Sequence, residues 1–257
     1  MRILLTNDDG IHAPGLSALY QAIQPLGEVH VVAPASVQSA TSHAVTFHKP
    51  VPTRREAVAC KIIEQSFEGI AVDGRPADCV KLGLTFLVPG VDLVVSGMNS
   101  GANVGINTIY SGTVAAAREA AFIGVPAIAV SLHIGERGKT PWRKAAAHAA
   151  NVIRRIISRP LERHTLLNVN IPILDNDAEP AGVRVVPVNT SAIVERYDIT
   201  RDELGFTHYQ AQDGFAFIHT AADSDVDALF QRYITVTPLH FDLTAHEQIK
   251  DWEKRLA

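Results

Sequence analysis

Cysteine is scarce: Cys60 and Cys79 are the only two in 257 residues. Two thiols show neither a disulfide framework nor a cysteine metal cluster. Also missing is any run of about 20 apolar residues, the length a membrane-spanning helix needs. The N-terminus enters an apolar stretch at once and lacks the charged, apolar and small-residue sections of a signal peptide. Together these features favour the cytoplasm and no membrane partner. Positive charge is not in excess, since 23 Lys and Arg face 27 Asp and Glu for a formal net charge of −4. That balance argues against a nucleic-acid polymer, which needs a basic face. Arg54-Arg55 and Arg154-Arg155 are isolated pairs that read as solvated. The Gly-x-Gly-x-x-Gly fingerprint is absent from the first turn, where Gly10 and Gly15 have the wrong spacing, so NAD and FAD are discounted. No internal repeat is present.

Hydrophobic residues make up 47% of the chain, enough for a sizeable core in one large domain or a domain with an extension. The first ten residues organise the rest. Ile3–Leu5 is a short continuous apolar run, as suits a strand buried on both faces of a parallel sheet. It stops abruptly at Asn7-Asp8-Asp9-Gly10. In open α/β sheets, ligands gather at the carboxyl ends of strands. Two carboxylates about 4 Å apart repel by roughly 4 kcal/mol at an effective dielectric near 20, and so need a proton, a cation or full solvation. An acidic turn capping a helix is the plainer reading; a divalent cation suits a pair that ends a buried strand better.

Downstream, Leu16, Leu19, Tyr20 and Ile23 follow helical spacing, and Val29–Ala33 reads as a second buried strand, a βαβ start. The loop 35–43 is small and rich in hydroxyls. Ser39 in it can give an oxygen to a hard cation or bond its own backbone, and by itself the second is favoured. Short β pieces fill 45–72. A helix opens at Pro76, with Cys79 as a small core residue, and a strand is expected over 92–96. Gly97, Gly101 and Gly105 then alternate with Asn99 and Asn103, where close backbone approach and neutral oxygens or amides are on offer. Ser111-Gly112-Thr113 begins another helix; its free amides suit phosphate, and an ordinary Ser/Thr cap accounts for it nearly as well. A strand over 126–132, a helix over 142–157 and a strand over 166–171 follow.

The polar stretch 174–182 is the one candidate boundary, between a core at 1–173 and a β-rich extension at 183–257. There, strands are expected over 183–188, 206–210 and 215–219, the last two as a hairpin around Asp213-Gly214, with a final strand over 233–237 and a helix over 243–256. Asp223, Asp225 and Asp227 only superficially begin a calcium loop, since Ala228 and Ile234 replace its Gly and Glu, and they read as the start of a short helix.

Taken together, several segments resemble the SurE family of stationary-phase survival nucleotidases. They are Thr6-Asn-Asp-Asp-Gly-Ile11, Val31-Val-Ala-Pro34 with Gln38-Ser39, and Pro76-Ala-Asp-Cys-Val-Lys81. Asp92-Leu-Val-Val-Ser-Gly-Met-Asn-Ser-Gly-Ala-Asn-Val-Gly105, Tyr110-Ser-Gly-Thr-Val114 and Val236-Thr-Pro-Leu239 complete the set, in the family's order along nearly the whole chain. Departures at Ala35-Ser36-Val37, Ala40 and Gly74-Arg75 bear on substrate preference more than on chemistry.

The resemblance implies a Rossmann-like α/β core, a mostly parallel sheet with helices on both faces, and a β-rich C-terminal arm. It implies a divalent-metal-dependent phosphomonoesterase for nucleoside 5′- and 3′-monophosphates, short polyphosphate being a further possible substrate. Asp8, Asp9, Ser39 and Asn99 fall on the metal ligands, with Asp8 and Asp9 also catalytic. Asn7, Asn103, Ser111, Gly112 and Thr113 fall on the substrate- and phosphate-facing part. An all-oxygen set favours one Mg²⁺ or Mn²⁺ ion per subunit, activating a water. A homodimer or homotetramer joined by the arm is expected. Two alternatives fit less well. A haloacid-dehalogenase-type phosphatase needs a second acid two residues after the first, where Gly10 and Ile11 stand. A metal-sensing or phosphoacceptor module needs an Asp at the end of a central strand, where Ser96-Gly97-Met98-Asn99 stands.

Overall fold

The structure, a computed structural model, describes residues 1–60, 62, 65–134, 140–174, 178–194, 196–212 and 217–257. In β1 (Arg2–Thr6), Ile3 and Leu5 face one side of the sheet and Leu4 the other, the period-2 alternation of a strand buried on both faces. The chain returns through α1 (Pro14–Ile23), with Pro at its start, to β2 (Glu28–Pro34), which pairs parallel to β1. A hairpin of β3 (Thr53–Cys60) and β4 (Gln65–Val72) adds the edge, β4 running parallel to β2. Then α2 (Pro76–Leu82), prolonged by a π turn, leads to β5 (Leu93–Ser100) on the opposite side of β1. The short α3 (Asn107–Tyr110) and α4 (Gly112–Ile123) precede β6 (Ala127–Leu132), and α5 (Trp142–Ile156) precedes β7 (Leu166–Ile171).

β5 is longer than expected. It runs through Gly97 to Ser100, with a register shift between Ser96 and Asn99 against β6. A Cβ on Gly97, at φ +142°, would lie 2.2 Å from the Val130 carbonyl oxygen. Only glycine lets this strand stay so close to β6, and the result is that Asn99 sits on a strand end.

After 182 the chain rejoins the same sheet. β8 (Gly182–Val185) lies parallel to β11 (Tyr233–Pro238), which runs antiparallel to β7, and α6 (Asp225–Phe230) leads into β11. The nine-stranded order is β3-β4-β2-β1-β5-β6-β7-β11-β8. Ile234 and Val236 of β11 share a core cluster with Ile3 and Leu5, so the packing continues across 174–182. Two layers of helix cover the sheet, α1 with α5 on one face and α2 with α4 on the other. Five buried alanines on α4 let it approach closely. Cys79 is a fully buried core residue, its thiol pushed up by burial.

Among the described strands only β9 (Tyr197–Arg201) and β10 (Thr207–Ala211) stand apart, as a two-stranded antiparallel sheet. The expected hairpin around Asp213-Gly214 is corrected here: β10 pairs with β9, and Phe217 makes an isolated bridge to Ile193. Residues 213–216 lie outside the described residues. The terminal helix, α7 (Ile249–Leu256), begins later than expected, after one 3-10 turn at His246–Gln248. No helix among the described residues is long and apolar enough to cross a membrane.

Candidate active site

The sheet order reverses at β1, because the chain moves outward to β2 on one side and to β5 on the other. In open α/β sheets the crevice at such a switch point is where ligands bind. Asp8 and Asp9 follow β1 there, and Asn99 lies near the end of β5.

Asp8 is 4% exposed. Its Oδ1 accepts the Thr113 hydroxyl at 2.6 Å, and its Oδ2 accepts the Thr113 backbone N–H at 3.1 Å. Burial, with Asp9 adding repulsion against the hydrogen bonds from Thr113, pushes its carboxyl from 3.8 up to about 6. Asp9 is less buried; Oδ2 accepts the Ser100 N–H at 3.0 Å, and desolvation raises its pKa too. Gly112 makes the clamp on Asp8 possible. A Cβ there would lie 2.9 Å from Asp8 Cβ and 3.1 Å from Pro76 Cγ, so any larger residue forces α4 away from β1.

The helix start expected to face phosphate therefore has divided duties. The Ser111 hydroxyl oxygen caps α4 by accepting from Val114 N, and both Thr113 donors go to Asp8. The Gly112 N–H is taken by neither arrangement. Asn7 is buried, donating from Nδ2 to the Gly10 carbonyl at 2.9 Å, with its Oδ1 left as a buried acceptor beside Asp8. Asn99 donates from Nδ2 to the Gly101 carbonyl at 2.7 Å, which leaves its amide oxygen for another partner. Ser39 is exposed in a loop tied down by its neighbours: Gln38 N donates to the Asp8 carbonyl, while Ser42 donates through N to Tyr110 O and through Oγ to Ile109 O.

Asn103 is held within the sheet end. Its Nδ2 donates to Ser131 Oγ at 2.8 Å, its N–H to Asn170 Oδ1, and its carbonyl accepts from Asn168 and Asn170. These partners escaped the sequence reading, although two asparagines inside an apolar strand pattern over 166–171 were a visible anomaly. Asp225 was missed as well. It does lie at a capped helix start, as expected, with Ser224 accepting from Asp227 N. In addition, its carboxylate accepts from Gly105 N at 2.9 Å and Asn189 N at 2.8 Å, tying the loop 101–105 to α6. Ala102 and Val104 pack on Val226 and Leu229 beside that bond.

Among the described residues no three His, Cys, Asp or Glu side chains gather as a metal cluster. A cation at this edge would rest on two carboxylates supplemented by neutral oxygens. The group fits one: Asp8 bears a cost of burial and repulsion that a divalent ion would offset, and the donors are all hard oxygens.

Comparison with known proteins places these features in context. The family model described as "Survival protein SurE" matches residues 3–195. Over 264 residues the chain is 43% identical to "5'-nucleotidase SurE" of Rhodopirellula baltica, covering 99% of this chain and 100% of the relative. Over 262 residues it is 39% identical to the protein of that name from Carboxydothermus hydrogenoformans, covering 100% and 97%. A crystal structure of SurE protein from Aquifex aeolicus matches with a TM-score of 0.83 and 33% identity over 100% of both chains.

Proposed function

The chain belongs to the SurE family, and from that premise we propose that it is a 5′-nucleotidase, hydrolysing nucleoside 5′-monophosphates to nucleoside and phosphate. The observation that carries the reading is the buried Asp8 beside Asp9 at the switch point, clamped by Thr113 from the start of α4. The 3′-monophosphates belong to the same proposal, because a site built on the phosphate need not read the sugar position. Short polyphosphate is a further candidate substrate on the same ground.

Asp8, Asp9, Ser39 and Asn99 would hold one Mg²⁺ or Mn²⁺ ion per subunit, their oxygens being of the hard type such ions take. When bound, the ion would supply positive charge to the phosphoryl group and acidify a water. Asp8 is the positioned carboxylate, because Thr113 fixes both of its oxygens. Asp9 accepts from Ser100 N at Oδ2, so Oδ1 is the oxygen it would turn towards the ion, and from there Asp9 would orient the attacking water. The Gly112 N–H and the Ser111 hydroxyl proton remain to donate to phosphoryl oxygens as charge builds on them. Asn103 and Asn7 serve by shaping the strand ends beside them. The free thiols of Cys60 and Cys79 suit a reducing compartment such as the cytoplasm.

The test is phosphate release from a panel of nucleoside monophosphates and polyphosphate, each with Mg²⁺, Mn²⁺ or chelator. Asp8→Asn and Asp9→Asn should each lower kcat/KM more than tenfold with the fold intact, a loss above about 1.4 kcal/mol. A folded variant that kept more than a tenth of the activity would remove that residue from the site. A protein that bound nucleotide without multiple turnovers would be a sensor instead.

A further inference from the structure

Arg118, on α4, is half-buried and donates from Nε to His43 Nδ1 at 3.1 Å. Desolvation lowers its pKa, and no carboxylate among the described residues pairs with it. The neighbouring Glu119 cannot serve, since its two oxygens are taken by His43 Nε2 at 2.7 Å and Lys81 Nζ at 3.1 Å. Nδ1 of His43 faces Arg118 while Nε2 faces Glu119, so the ring lies between the guanidinium and the carboxylate. A partly desolvated guanidinium with no carboxylate of its own is an uncompensated charge, which folded proteins rarely keep without a partner.

Arg118 opens into a cavity of about 560 Å³, within the range of small-molecule sites, whose walls include His43, Phe122, Phe241, Asp242 and Thr244. Asp242 brings the one carboxylate among these residues. Both of its oxygens are engaged, one by His246 Nε2 at 2.6 Å and the other by Thr244 N at 2.8 Å, and these bonds hold its carboxyl far below the usual range. Phe241 is stacked on His164 at 4.8 Å and meets Phe122 edge-on at 6.0 Å. Phe122 remains 66% exposed. Arg118 and Phe122 are four residues apart and so share one face of α4, with their Cβ atoms about 6 Å apart. A ligand that satisfies both carries an anion and a flat ring at a short separation, as the phosphate and base of a nucleotide do.

We infer that this cavity is a second nucleotide site, separate from Asp8 and Asp9, which holds the phosphate of a nucleoside monophosphate on Arg118 and its base against Phe122. Through His43 the site bears on the loop that carries Ser39, which makes its occupant an effector of the catalytic site. The choice of nucleotide as occupant rests on the proposed function; the anion-and-ring requirement does not.

Equilibrium dialysis of labelled AMP against the full chain in EDTA tests it, because binding at the cavity needs no divalent ion. One AMP per chain is expected for the wild type and for Asp9→Asn, weakened at least tenfold in Arg118→Gln and several-fold in Phe122→Ala. Phe122 is exposed, so its variant keeps the test open if Arg118→Gln fails to fold. Unchanged binding in Phe122→Ala and, where it folds, Arg118→Gln would overturn the inference. So would an absence of binding in EDTA, or its loss in Asp9→Asn. Inorganic phosphate binding as tightly as AMP, with Phe122→Ala silent, would reduce the cavity to a bare anion site and overturn the nucleotide assignment. Phosphate release with Mg²⁺ or Mn²⁺, measured in parallel, reports separately on the proposed function.

Discussion

Asp8 concentrates the energetics of the site in one side chain. Its folded-state pKa of about 6 lies above the ordinary 3.8, so the metal-free folded protein holds a proton that the unfolded chain releases. Stability from this group is therefore present below pH 4 and lost as pH rises towards 6, staying low above that. The gap corresponds to a loss on the order of 2–3 kcal/mol. Denaturant melts of the wild type in EDTA, compared with Asp8→Asn, should show this difference between pH 4 and 6.5, and excess Mg²⁺ or Mn²⁺ should remove it. A flat difference would mean that Asp8 is solvated. Ser39→Ala tests the ligand set differently. Loss of a ligand should raise the metal concentration needed for half-maximal activity, with KM for nucleotide at saturating metal little changed. An unaltered metal titration would take Ser39 out of the ligand set. The carboxylate pair was legible because its signal is local, two acids that end a buried apolar run. Thr113 at a helix start suits any anion, phosphate included; that both of its donors also reach Asp8, 105 residues away, depends on how α4 docks on β1.

The element that sets the far side of the site is the loop 101–105 that follows Asn99 and the end of β5, and α6 holds it from outside the catalytic half. Asp225 is fully buried, and its carboxylate accepts from Gly105 N, Asn189 N and Val226 N. Removing it leaves buried donors without acceptors, at about 1–3 kcal/mol each. Asp225→Ala should therefore destabilise the protein by about 3 kcal/mol or more and raise the metal requirement by loosening Asn99. Asp225→Asn, which keeps an acceptor, should lose less on both counts. If melting temperature and metal titration both stay at wild-type values in Asp225→Ala, the loop is held by its packing on α6 alone. The parallel strands were legible from their apolar runs, and α6 from its cap. β9 was not, because all five of its residues are exposed and no burial pattern marks them. The Asp213-Gly214 turn signal then drew β10 towards the wrong neighbour, since a turn dipeptide carries no knowledge of a better partner upstream.

At the scale of the whole molecule the sheet is closed on both faces, but the ribbon of β9 and β10 is not. Every residue of both strands is exposed, among them Tyr197, Ile199 and Tyr209, and so are Leu204 and Phe206 between them. A two-stranded ribbon is marginal by itself in water. An apolar surface of this kind on a folded chain marks an interaction site. Packing against a second copy buries it at low cost, because an element exchanged about a two-fold axis makes every contact twice. We therefore expect a dimer at least, with the segment from Phe206 to His219 against the partner and pairing of dimers giving a tetramer. Sedimentation at micromolar concentration should find no monomer, and deleting 197–211 should yield monomers or aggregates. The deletion leaves Asp8, Asp9 and Thr113 untouched, so any activity lost with it measures how far the site depends on the assembly. A wild-type chain that sediments as a monomer would overturn the exchange while leaving the chemistry at Asp8 and Asp9 as it stands.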